Sequence, residues 1–118
     1  MTYVNGFLLA VPTANKAAYL EMATTTSDVF KKHGALAIVE CWGDDVPDGK
    51  LTSFPMAVKL KADETVVFSW ITWPDKATAE SGIENSMKEL DADMMAPDKM
   101  PFDGMRLMWG GFEAILEV

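Results

Sequence analysis

Three kinds of chemically reactive or charged side chain are nearly missing from the 118-residue sequence, which holds one cysteine, one histidine and one arginine: Cys41, His33 and Arg106. A single cysteine cannot form an internal disulfide, and this excludes a disulfide-stapled secreted scaffold. One histidine and one cysteine, with no paired spacing, also make a poor set of zinc or haem ligands. We therefore expect neither a bound metal nor a resident cofactor.

Basic residues are scarce as well. Ten lysines and arginines stand against eighteen aspartates and glutamates, which gives a formal net charge of −8. Proteins that bind nucleic acid neutralise its phosphates with clustered Lys and Arg. Association with an anionic membrane surface needs the same kind of cluster. For this acidic protein we expect no nucleic-acid partner and no membrane partner.

Long apolar runs are absent too, since no stretch reaches the roughly 18 apolar residues of a membrane-spanning helix. Near the N-terminus the apolar run covers residues 7–11 and follows no basic segment, which does not match a signal peptide. Hydrophobic residues make up 49% of the chain and charged residues 24%, an ordinary globular mixture. We expect residues 1–118 to form a single domain in the cytoplasm.

Strand and helix patterns alternate along the chain. Segments rich in β-branched and aromatic residues predict strands at residues 3–12, 35–42, 52–61, 66–73 and 105–118. Apolar residues at helical spacing predict helices at 14–33 and 75–90. Asp48 and Gly49 favour a hairpin turn, and residues 94–101 favour an irregular segment or a short helical turn. The order β-α-β-β-β-α-β predicts an α+β fold, a ferredoxin-like βαββαβ unit with an extra strand in an antiparallel sheet.

The predicted strands are apolar on both faces. In the fourth strand, Phe68 and Trp70 point away from Val67, Ile71 and Trp73. Two helices cover only one face of a sheet, and each large apolar side chain left in water forfeits about 1.5–3 kcal/mol. A second copy of the sheet is the simplest cover for the other face, so the pattern predicts a homodimer.

Several long segments carry a family resemblance: IVECWGDDVPDGK at residues 38–50, VVFSWITWP at 66–74 and MPFDGMRLMWGGFE at 100–113. Together with the opening VNGFLLAVP, they resemble the DUF1428 family of small, YbaA-like bacterial proteins. The resemblance implies a dimeric α+β barrel, in which two ferredoxin-like sheets pack together. It implies no activity, because the family has none assigned. Structural relatives of the barrel include antibiotic-biosynthesis monooxygenases and muconolactone isomerases, but likeness of fold alone is weak support for chemistry.

Two residues are candidates for catalysis. Glu40 shares a strand face with Trp42, and a carboxylate inside the barrel would have a raised pKa and act as an acid or base. The alternative is a structural glutamate held by hydrogen bonds. His33 ends the apolar face of the first helix, where it would reach the cavity rim; the alternative is a histidine whose charge suits the helix dipole.

Five residues are candidates for ligand binding. Trp42, Trp70 and Trp109 would line a pocket for a flat apolar ligand, although tryptophans more commonly pack cores and interfaces. Asn5 is a polar residue on an apolar strand face. Arg106 would anchor an anion bidentately, or close an ion pair with a nearby carboxylate such as that of Asp103, Glu40 or Glu113.

These candidates predict one site. We expect Glu40 to be mostly buried, in a hydrogen-bond network with Asn5, Arg106 or an ordered water. We expect a cavity next to it, walled by Trp42 and by Trp70 or Trp109.

Three functions remain open at this point. The first is an uncharacterised homodimer that binds a small apolar or aromatic molecule. The second is a cofactor-independent oxygenase or isomerase, in which Glu40, His33 and Trp42 position the substrate and transfer protons. The third is a non-catalytic interaction or stress protein. A pocket lined by Trp and Met would favour the first two, and whether the protein is an enzyme stays open.

Overall fold

The computed structural model describes residues 2–90 and 100–118 and has an α+β architecture. Its strands are β1 (Tyr3–Pro12), β2 (Ala37–Trp42), β3 (Glu64–Trp73) and β4 (Met108–Glu113). Its helices are α1 (Lys16–Lys32), α2 (Phe54–Ala57) and α3 (Lys76–Glu89). The strands form one open antiparallel sheet in the order β2-β3-β1-β4. No helix in the described part of the chain is long and apolar enough to cross a membrane.

The centre of the sheet is the pairing of β1 with β3, which runs over ten positions from Tyr3 opposite Trp73 to Pro12 opposite Glu64. Along both strands, alternate side chains point towards α1 and α3. Leu9, Val67 and Ile71 are buried there. The two predicted faces of β3 are therefore confirmed, with Val67 and Ile71 on the helix side.

Helix α1 follows a short 3-10 turn, Thr13–Asn15, and ends where the sequence predicts. Its predicted apolar face packs on the sheet, with Tyr19 and Ala23 buried. The next residue after the C-cap, Gly34, has a φ of 111°, which favours glycine. Helix α3 begins after Asp75, whose side chain accepts a hydrogen bond from the Thr78 amide at 2.7 Å.

The predicted third strand at residues 52–61 and the hairpin at Asp48 and Gly49 are wrong, so the sheet has no extra strand between β2 and β3. Helix α2 forms there because Ser53 caps it, its Oγ accepting from the Met56 amide at 3.1 Å. Pro55 stands in the first turn of this helix, where its fixed φ is favourable and its missing N–H costs nothing.

The segment around α2 has a packing role on the sheet face opposite α1 and α3, here called the outer face. Val58 packs there against Ala10 and Val66, and all three are buried. The Phe54 and Phe68 rings pack edge to face, with centroids 6.1 Å apart. One end of the outer face is thus covered by the chain itself.

The last strand is shorter than the predicted 105–118. A 3-10 turn, Gly104–Arg106, precedes β4, and the Asp103 side chain accepts from the Met105 amide at 2.9 Å. Pairing of β4 with β1 is continuous from Met108 to Glu113. Residues 94–99 of the predicted irregular segment lie outside the described residues.

Gly82 lies in the middle of α3 because the helix packs directly on Trp73. The Trp73 side chain is completely buried, and its indole N–H donates to Asn5 Oδ1 at 2.8 Å. A Cβ atom at Gly82 would stand 2.2 Å from the Trp73 ring and 2.8 Å from the His33 carbonyl oxygen. Glycine is thus required here by close approach, despite its poor helix propensity.

Replacing Gly82 with alanine tests this packing. In an open helix, Gly→Ala adds about 1 kcal/mol of stability, but overpacking a core costs about 1–3 kcal/mol. With the indole and a backbone carbonyl both in the way, we expect Gly82→Ala to lower the free energy of unfolding by about 2 kcal/mol in urea titrations. Ser81→Ala, on the exposed side of the same turn, is the control and should be neutral or slightly stabilising. A Gly82→Ala protein as stable as the wild type would contradict the packing argument.

Candidate functional site

A cavity of about 170 Å³ lies between the helix side of the sheet and α1. Its described walls are mainly apolar and combine aromatic rings with thioethers. They include Phe7, Tyr19, Phe30 and Phe102 together with Met22, Met87 and Met100. The predicted apolar face of α1 thus forms one wall, and the inner face of the sheet forms the other.

A hydrogen-bonded pair of side chains sits in the wall of this cavity. The Tyr19 hydroxyl, from α1, donates to Glu40 Oε1, from β2, at 2.6 Å. This separation is typical of a hydroxyl donating to an ionised carboxylate. Ser69 lies directly across from Glu40 on β3 and also lines the cavity. Two elements, α1 and β3, therefore place hydroxyl groups beside a carboxylate that a third element, β2, carries.

The surroundings shift the pKa values of both members of the pair. Partial burial raises the pKa of the Glu40 carboxyl, while the hydrogen bonds from Tyr19 and Ser69 act in the opposite direction. Burial, followed by the negative charge of Glu40, strongly raises the pKa of the Tyr19 hydroxyl. The phenol therefore stays protonated as a donor, and the carboxyl takes up a proton more readily than an ordinary glutamate.

Glu40 is not mostly buried, contrary to prediction. As a residue it is exposed, because β2 is an edge strand and α1 covers only part of it. Glu40 borders both the cavity and a surface groove beside α1, which Asp28 and Lys31 also line. Asn5 and Arg106 are wrong as predicted partners, since Glu40 bonds to Tyr19 instead.

Asn5 and the tryptophans lie elsewhere. Asn5 is buried and holds the Trp73 indole. Trp42 packs beside the core under the Lys16 ammonium, 5.4 Å from its ring centroid. Trp70 lies on the outer face, and Trp109 is 71% exposed. The described lining includes no tryptophan, so the expectation of tryptophan walls is wrong; ligand binding by these residues elsewhere stays a prediction.

His33 is the C-cap residue of α1 and lies between two helices. Its Nε2 is 3.1 Å from Glu89 Oε1, and the same carboxylate oxygen accepts from Lys32 Nζ at 2.8 Å. These contacts agree with the helix-end alternative. The described cavity lining does not include His33, and its catalytic role stays a prediction.

Arg106 is engaged by the folded chain. Its guanidinium donates to both carboxylate oxygens of Glu64 and to Asp103 Oδ2, the latter at 3.0 Å. It also donates to the Lys59 carbonyl oxygen at 3.0 Å. Its hydrogen bonds lower the pKa values of the Glu64 and Asp103 carboxyls. The Asp103 contact was among the predicted ion pairs, whereas Glu64 was not; binding of an anion by Arg106 stays a prediction.

Sequence reasoning missed Tyr19 and Ser69 as members of the site. Tyr19 lies at an apolar position of α1, and a buried tyrosine usually finds a partner for its hydroxyl. Ser69 is the one serine in the apolar run VVFSWITW. A polar residue in such a run was the available signal, since buried polar groups need partners. Within residues 2–90 and 100–118, no three His, Cys, Asp or Glu side chains group together as metal ligands would.

Together these features define a class: an α+β protein with an antiparallel sheet, helices over one sheet face, and an apolar cavity holding a Tyr–Glu pair. The family model described as "Protein of unknown function (DUF1428)" matches residues 2–104, and the chain belongs to this family. It is 49% identical to the uncharacterized protein YbaA of Escherichia coli strain K12 and to that of Shigella flexneri. Both alignments span 117 residues, 99% of this chain and 99% of the relative.

The comparisons confirm the family resemblance drawn from the segments at residues 38–50, 66–74 and 100–113. The comparisons assign no activity to the chain, because the family is of unknown function and the relatives are named as uncharacterized. Any functional argument must therefore come from the site itself.

The shifted pKa of Glu40 predicts how stability depends on pH. A carboxyl whose pKa is higher in the folded state binds more protons when folded, so its contribution to stability grows as pH falls through the folded pKa. We expect the stability of the wild type relative to Glu40→Gln to rise as pH falls from neutral towards the ordinary glutamate pKa of 4.5, measured by urea unfolding. Asp28→Asn is the control, because it removes a carboxylate that lines the groove but not the cavity. The stability of the wild type relative to Asp28→Asn should not show this rise. Parallel profiles of wild type and Glu40→Gln would contradict the assignment.

Proposed function

We propose that the protein is a homodimer in which each protomer binds a small, mainly apolar molecule in the cavity beside Tyr19 and Glu40. The observation that carries this proposal is an apolar cavity of about 170 Å³ with one hydrogen-bonded polar pair in its wall. An apolar cavity of about 150 Å³ is enough to hold benzene. A few polar groups in an apolar pocket are the usual composition of a small-molecule site.

The arrangement of the sheet supports the dimeric part of the proposal. The antiparallel order β2-β3-β1-β4, with α1 and α3 on one face, supports the proposal of a ferredoxin-like βαββαβ unit. In the dimeric α+β barrel that the family resemblance implies, two such sheets pack through their free faces. The outer face is the free face here.

The composition of the outer face favours a second copy of the chain as its occupant. Beyond the end covered by α2, a trough is lined by Val4, Phe68, Trp70, Phe112 and Leu116, and Glu117 is the charged residue in its described lining. Phe112 is 62% exposed in the single chain. A patch that is mainly apolar can pack against the same patch of a second copy across a two-fold axis, the commonest symmetry of homodimers.

A second candidate function is acid–base catalysis by a cofactor-independent isomerase or oxygenase. The observation that favours it is the raised pKa of the Glu40 carboxyl, in contact with the Tyr19 hydroxyl at the cavity wall. A base with a pKa nearer to neutrality is suited to taking a proton from a bound substrate and returning it. This candidate shares the cavity with the first and adds a chemical step to binding.

Benzene tests whether the cavity binds small apolar molecules. At ten times its dissociation constant, a ligand adds about 1.4 kcal/mol to stability, which for a chain of this size raises the unfolding temperature by about 6 °C. We expect this shift in the wild type and its loss in Thr26→Phe, which fills the cavity from α1. Thr24→Phe is the matched control, because Thr24 lies on the same helix outside the described cavity lining.

The result is read from differential scanning calorimetry. A benzene shift in the wild type and in Thr24→Phe, but not in Thr26→Phe, is the expected outcome. Equal shifts in all three proteins would place the binding elsewhere. No shift in any of them would contradict ligand binding in the cavity.

Light scattering after size-exclusion chromatography tests the dimer. We expect the wild type at about twice the protomer mass of 13.0 kDa. Phe112→Asp would bury an unpaired charge in the interface, at a cost of about 3 kcal/mol or more, and should yield a smaller species. Leu20→Asp is the matched control, since Leu20 is 59% exposed but lies on α1, away from the outer face. A wild type that elutes as a monomer would exclude the dimer.

A further inference from the structure

We propose that the cavity selects neutral, single-ring aromatic molecules carrying one hydrogen-bond donor, the phenol class, and that Glu40 accepts the hydrogen bond from the ligand hydroxyl. This inference rests on the proposed function, because it requires that the cavity bind a small molecule. It goes further by naming the ligand class and the residue that recognises it.

The charge around the cavity selects against anions. Among its described lining residues, none is a lysine, arginine or histidine, and Glu40 is the charged one. Arg106, the only arginine in the sequence, is bonded to Glu64 and Asp103 instead. A carboxylate or phosphate ligand would therefore face a negative charge with no described cation to offset it.

The hydrogen-bond inventory of the cavity selects for a donor. The Tyr19 hydroxyl donates its single hydrogen to Glu40 Oε1. The Thr26 hydroxyl donates to the Ala23 carbonyl oxygen at 3.1 Å. An ionised carboxylate offers about four acceptor positions on two oxygens. Tyr19 and Ser69 together use only part of this capacity. A ligand hydroxyl would donate a further hydrogen bond to Glu40, which a ligand with acceptors alone cannot do.

The walls and the volume select for one aromatic ring. The Tyr19 and Phe102 rings pack edge to face, with centroids 5.8 Å apart, and show aromatic surface to the cavity. Thioether sulfurs, which Met22 and Met87 provide here, also make favourable contacts with aromatic rings. A volume of about 170 Å³ leaves room for a benzene ring and one further atom.

Glu40 is also placed where the polar end of such a ligand would point. Ser27, Ile38 and Glu40 border both the cavity and the surface groove next to α1. A ring inside the cavity would therefore direct its hydroxyl towards this shared wall.

Four probes on the 118-residue chain separate the alternatives: benzene, phenol, anisole and benzoate, titrated by isothermal calorimetry at neutral pH. Anisole keeps the ring and the oxygen of phenol but has no donor, and benzoate is anionic. We expect phenol to bind about tenfold or more tightly than anisole, the factor that a hydrogen bond to a charged group supplies. Benzoate should bind more weakly than benzene.

Variants assign the preference to Glu40. In Glu40→Gln the acceptor loses its charge and gains donors, so the phenol-to-anisole ratio should fall towards one. Asp28→Asn, the matched control, removes a carboxylate of the groove that does not line the cavity and should keep the wild-type ratio. Should Glu40→Gln not fold, Tyr19→Phe serves instead, because it frees Glu40 Oε1 and should strengthen the preference for phenol.

Each outcome is decisive. If benzene and anisole bind and phenol binds no better, this inference is overturned and the proposed cavity function stands. If none of the four probes binds, the proposed function itself is overturned. An undiminished phenol preference in Glu40→Gln, or a weaker one in folded Tyr19→Phe, would overturn the role of Glu40.

Discussion

The pairing of β1 with β3 is the constraint on which the rest of this structure depends. Ten consecutive residue pairs fix which side chains face the helices, and a shift by one residue would turn every one of them to the other face. This register places Asn5 within reach of the Trp73 indole and places Trp73 under Gly82. The position of α3 therefore follows from the central strands, through one buried tryptophan.

The candidate site lies at the margin of this rigid centre. Glu40 belongs to an edge strand, and its partner Tyr19 belongs to the helix that only partly covers that strand. This location explains how one carboxylate borders both an interior cavity and a surface groove. A site at the edge has access to solvent without any opening of the central sheet. The same geometry keeps the carboxyl near enough to water to titrate.

Much of the fold could be predicted from the sequence because apolar periodicity reports burial directly. The bounds of β1 and the apolar face of α1 were predicted in this way. The structure of residues 52–61 could not be predicted in this way, because Pro55 suits both an edge strand and a first helical turn. Only the hydrogen bond that caps the helix at Ser53 decides between them. The site was half predicted: Glu40 stood out as a polar residue on an apolar face, but its partner Tyr19 comes from another element and depends on how the helix docks.

The lone arginine provides a long-range connection within a chain that has no disulfide. Arg106 joins the start of β3 to the turn before β4 across 42 positions of sequence. A disulfide at this place would restrict the unfolded chain as well, whereas the ion pair exists only once both ends are folded. Its strength depends on proton concentration rather than on redox potential. Because the arginine holds the pKa of the Glu64 carboxyl low, this connection persists under moderately acidic conditions and is lost only when that carboxyl is protonated.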